Sequence, residues 1–203
     1  MMNEPDWEQA YERLLQETRA AIANFSTEHP DVVVSDFWYD SEPCYGYVLI
    51  GVNSLESSRR TARKQYDYHV SYRRKLLTEN LDTWLDNSVY QLGVHSVQEV
   101  NSNSGDFEFS QYAQIDFPEW QKCAESDDYP ESPSHRGDYL ECRAAYLFWR
   151  TFETLVEEGA FSPLRLASPA RIGFAFHEGT ENVMHLLNWD NPPTEHVVGG
   201  NGG

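Results

Sequence analysis

The stretch "DVVVSDFWYD", residues 31–40, continued by "SEP" and "CYGYVLIGV" to residue 52, decides the fold class. Two runs rich in β-branched and aromatic residues, broken by a short polar segment with a proline, read as an antiparallel β-hairpin. Working outward, residues 6–28 place Trp7, Tyr11, Leu14, Leu15, Thr18, Ile22 and Phe25 at helical spacing, with Asn3, Pro5 and Asp6 as start signals. On the other side, Asn53 and Ser54 offer a cap for a helix over residues 55–78. A hairpin set between long amphipathic helices indicates an α+β fold.

The rest of the chain extends this pattern. Residues 81–92 read as a short helix around Trp84 and Leu85. "NSNSGDFEFSQYAQIDF", residues 101–117, opens on turn residues and then alternates into a strand. A short helix containing Trp120 follows Pro118, and residues 138–158 form a helix ending at Gly159. Its spacing predicts Tyr139, Cys142, Tyr146, Trp149, Phe152 and Val156 on the buried side. "RIGFAFHEGTENVMHLLNW", residues 171–189, reads as a second hairpin turning at Gly179-Thr180, so that residue 174 should face 185. That register puts Ile172, Phe174, Phe176, Val183, His185 and Leu187 on one face and His177 on the other.

The expected architecture is therefore one α+β domain over residues 1–190, a mixed or antiparallel sheet with long helices packed against it. The Pro- and Gly-rich residues 191–203 are expected to be a disordered tail.

Charge bounds the function. Fifteen Lys and Arg against thirty-three Asp and Glu give −18, which disfavours nucleic acid and anionic membrane as partners and favours a basic protein. The exception is residues 59–75, where seven basic residues against Asp67 alone make a local +6 and leave −24 for the rest. Arg59, Arg60, Arg63, Lys64, Arg73 and Arg74 are the candidate anion contacts and the one route to a nucleic acid; the plainer reading is the solvated face that any surface helix needs. An acidic N-terminus and the lack of an apolar run of about 20 residues predict a cytoplasmic protein. Cys44, Cys123 and Cys142 are odd in number and widely spaced, which suggests small buried apolar residues rather than a disulfide framework or a zinc site.

Chemical landmarks are few. His177, Glu178 and Asp106 are the candidate catalytic groups, and they define the alternative function, a small hydrolase or phosphoester-processing enzyme. His177 and His185 are expected to point apart, so neither a metal nor any other cofactor is anticipated. Trp38 and Tyr45 on the first hairpin are the candidate aromatic anchors for a protein partner.

The series "YGYVLIGVNS", "NSNSGDFEFSQYAQIDFPEW", "YLECRAAYLFWRTFETLVEEGAF" and "LASPARIGFAFHEGTENVMHLLNW" resembles a family of uncharacterised bacterial cytosolic proteins known only as a domain of unknown function. The likeness spans most of residues 10–190. More loosely, such small acidic chains are similar to immunity or accessory proteins of bacterial toxin and defence loci, which implies binding rather than turnover.

Overall fold

Local rules set the first elements. The carboxylate of Asp6 accepts the Gln9 N–H at 3.0 Å and starts α1, Trp7–Glu28. The helix ends at His29, whose N–H returns to the Phe25 carbonyl at 2.8 Å just before Pro30. β1, Val33–Glu42, and β2, Tyr47–Ser54, pair antiparallel from Glu42 opposite Tyr47 to Val34 opposite Ser54. The Ser54 hydroxyl then accepts the Ser57 N–H at 3.0 Å and opens α2, Leu55–Thr78. β3 is Phe109–Asp116, α3 is Pro118–Ala124, α4 is Pro133–Glu157, β4 is Arg165–Phe176 and β5 is Asn182–Leu187. This is a computed structural model that describes residues 4–78, 104–126, 133–176 and 182–188, with the backbone alone for 65, 66, 69, 70, 72–78 and 133–138. The segments expected at 81–92 and 191–203 lie outside the described residues.

The five strands run in the order β3-β2-β1-β4-β5. Every neighbouring pair is antiparallel except β1 with β4, which are parallel, so the sheet of this α+β fold is mixed. β1 is the central strand, and the unbroken burial from Val34 to Tyr39 reflects cover on both of its faces.

On one face of the sheet lie α1 and α4. Tyr39 marks the middle of this layer: its ring stacks on Phe152 at 4.3 Å between centroids, and its hydroxyl shares a 2.6 Å hydrogen bond with Thr18. Burial pushes that hydroxyl's pKa far up, so Tyr39 stays neutral and can remain in the core. The two helices meet along Tyr11 and Thr154, 2.9 Å apart, flanked by the Arg19–Glu158 and Arg150–Glu8 ion pairs, each at 2.7 Å. Those pairs are solvent-accessible and screened by water, so they contribute little, whereas burying one Phe side chain contributes about 1.5–3 kcal/mol. The aromatic layer therefore holds the fold.

Four expectations need correction. The buried stripe of α4 is Leu140, Ala144, Leu147, Phe148, Thr151, Phe152 and Leu155, not the Tyr139–Cys142–Tyr146–Trp149 side; Tyr146 is 53% and Trp149 45% exposed. Phe152 is buried as expected, but the sheet otherwise takes up the stripe carrying Leu147 and Phe148 and leaves Trp149 to donate to Glu153 at the surface. The helix also begins at Pro133, one turn before the expected start. In β5, Ile172 and not Phe174 faces His185: Phe174 already pairs with Asn182, and the bulge between Ile172 and Gly173 shifts the register by one residue more. The bulge turns Met184 to the core and leaves Val183 46% exposed. Among the cysteines only Cys123 is buried; Cys44 is half-buried and Cys142 exposed.

Candidate functional site

The connection between β1 and β2 is built to hold its side chains still. Pro43 opens a 3-10 turn, Pro43–Tyr45, and Gly46 closes it at φ +70, with its N–H on the Pro43 carbonyl at 3.0 Å. The Gly46 carbonyl accepts the Phe117 N–H at 2.7 Å, and a Cβ at this glycine would lie 2.6 Å from the Phe117 carbonyl oxygen. The turn is thus braced by the segment leading into α3, and it packs on α4 as well. From this base Tyr45 projects to solvent, 58% exposed, its ring stacked near Tyr47 at 6.4 Å and 14°.

Acids surround the tyrosine pair. Burial and then the neighbouring Glu42 and Asp40 carboxylates raise the Tyr47 hydroxyl's pKa; burial, Glu42 and Glu141 do the same for the Cys44 thiol. The turn thus carries a tyrosine pair with Glu42 beside both Tyr47 and Cys44. Its thiol is held protonated, the opposite of what a nucleophile needs.

Trp38, the other anchor expected from sequence, sits elsewhere. It is 1% exposed on the second face of the sheet, with Phe107 edge-on at 6.4 Å. Its neighbours across the strands are Gly51 on β2 and Gly173 on β4; the missing side chain at Gly173 makes room for the indole and that at Gly51 for Phe107. One register step away, Asp36 lies beside Arg171, whose Nε donates to it at 2.6 Å. Ser35 and Asn53 also donate to the Asp36 carboxylate, at 2.7 and 3.4 Å. Burial outweighs these partners and raises the carboxyl's pKa. Sequence reading did not single out this cluster; the one signal was an acid inside the run Val33–Tyr39 and an arginine entering the run Ile172–Phe176.

No family model, curated protein or solved structure matches the chain.

A second locus gathers residues that sequence had left apart. α2 and the 3-10 turn Ser104–Asp106 border an open cleft of roughly 800 Å³, lined by Ser57, Arg60, Thr61, Lys64 and Tyr68 on the helix and by Asp106 and Glu108 opposite. Asp106 is thereby brought to Arg60 and Lys64. Arg59 instead lines a neighbouring cleft with Asp31 and Glu56, and Arg63 faces Asp67 at 3.4 Å. The side chains of Arg73 and Arg74, and both His177 and Glu178, lie outside the described residues. His185 is half-buried on the face toward α4, 3.5 Å from Glu153. Among the described residues no three His, Cys, Asp or Glu side chains converge as metal ligands, and no helix is long and apolar enough to cross a membrane.

Proposed function

We propose that the chain is a non-catalytic protein-binding module for a basic partner, in the manner of the immunity or accessory proteins of bacterial toxin loci that its sequence resembles. The observation that carries this reading is the braced, exposed Tyr45, stacked near Tyr47, whose own neighbours include Glu42 and Asp40. A tyrosine on a rigid turn offers large contact area with little side-chain entropy to lose, and surrounding acids steer a basic surface toward it. The −18 charge of the whole chain supports the same sign of partner.

Affinity capture from the native host supplies the partner, and kinetics decide the reading. Association with the captured protein should slow as salt is raised while dissociation changes less, and Tyr45→Ala should weaken binding by about 2 kcal/mol. Salt-independent association, indifference to Tyr45→Ala, or recovery of a small molecule that the chain turns over would each overturn it.

A further inference from the structure

The cleft beside α2 has a charge arrangement that a simple anion site lacks. Ser57, Arg60, Thr61, Lys64 and Tyr68 recur at intervals of three and four residues, so they share one helix face. The opposite wall is fixed independently. Phe107 is buried, the Glu108 N–H donates to Asn53 Oδ1 at 3.3 Å, the Ser54 hydroxyl donates to the Glu108 carboxylate, and Ser104 donates to Asp40 at 2.9 Å. Two cations thus face two carboxylates across roughly 800 Å³, a size suited to a small organic molecule. Phosphate alone would meet attraction from one wall and repulsion from the other. A molecule carrying both charges meets attraction from both.

We infer that this cleft binds a small zwitterion, its anionic end on Arg60 and Lys64, its ammonium end on Asp106 and Glu108, with Ser57, Thr61 and Tyr68 lining the same helix face. A free short peptide, with its charges at opposite ends, is one member of this class. The site shares no lining residue with the Tyr45 surface, to which the Ser104–Asp40 hydrogen bond links it.

Three probes separate the charges without altering the backbone: triglycine, N-acetyl-triglycine with only the carboxylate, and triglycinamide with only the ammonium. Each is titrated into the isotopically labelled full chain while the amide resonances of Thr61, Lys64, Asp106 and Glu108 are followed. Triglycine should give saturable shifts at these positions with a Kd of about 1 mM. Each singly charged analogue should bind about fivefold more weakly, the upper range for one exposed ion pair. Lys64→Glu, an exposed substitution, should reverse the order and make triglycinamide the better ligand. Equal affinity for all three probes, shifts confined to other residues, or no saturation by about 20 mM would overturn the assignment.

Discussion

Arg171 on β4 donates through Nε to the buried carboxylate of Asp36 on β1 at 2.6 Å, and the two are direct partners in the one parallel strand pair of the sheet. The ion pair therefore sits on the contact that joins the first hairpin to the second. Arg171 also lies 5.7 Å from the Trp38 ring, so it ties the polar cluster to the aromatic one on this face.

Replacing Arg171 with Met should cost about 3 kcal/mol at neutral pH, because it leaves Asp36 buried without its cation. The pH dependence follows from sign. Burial already raises the Asp36 carboxyl above its ordinary 3.8, and removing Arg171, which lowers it, raises it further. A carboxyl that binds its proton more tightly in the folded chain makes stability rise as pH falls through its folded pKa toward the unfolded value. The variant's deficit in urea unfolding should thus be smaller at about pH 5 than at about pH 7; an equal deficit would show that Asp36 does not carry the cost.

Gly173→Ala should destabilise by about 2 kcal/mol through overpacking. A Cβ there would stand 2.3 Å from the Asn182 carbonyl oxygen and 3.2 Å from Trp38, so both β5 and the indole would have to shift. Unfolding midpoint and near-UV circular dichroism check it, and unchanged values would contradict the close approach.

The rotation of α4 is open to a paired test. Phe148→Ala should cost about 3–5 kcal/mol by opening a cavity against Tyr39 and Phe174, and Trp149→Ala under about 1 kcal/mol. A reversed order would mean that the helix packs with its other stripe inward.

Charge reversal on α2, Arg60→Glu with Arg63→Glu, should change stability by only about 0.5 kcal/mol per site, since both side chains are exposed and their ion pairs with Glu56 and Asp67 are solvent-screened. Loss of soluble protein on reversal would show that this face is covered.

The candidate sites were legible unevenly. Tyr45 and Trp38 stand alike in the sequence as aromatics of the first hairpin, and the turn at Pro43–Tyr45 that exposes Tyr45 is not legible there, because residues 44–52 have the composition of one strand. Trp38 could not be assigned from sequence, since an aromatic in a strand suits a core and a docking surface equally; the glycines across from it, Gly51 and Gly173, come from distant parts of the chain. Asp106 and the basic helix were each visible, but the cleft that joins them exists only because β3 pairs with β2 and returns the 104–108 segment to the start of α2.

Short-range chemistry was sufficient for the ends of α1, the cap at Ser54, the first hairpin and the α+β class, because capping, turn and periodicity signals act within a few residues. The sequence alone also determined the charge balance of −18. Tertiary structure decided the rest: the parallel union of β1 with β4, the bulge at Gly173, and which of two helical stripes on α4 turns inward. Each depends on the shape and volume of a surface supplied by another part of the chain. Periodicity cannot contain that information, since Tyr146 and Trp149 are spaced as well for burial as Leu147 and Phe148, and only the sheet against which they compete distinguishes them.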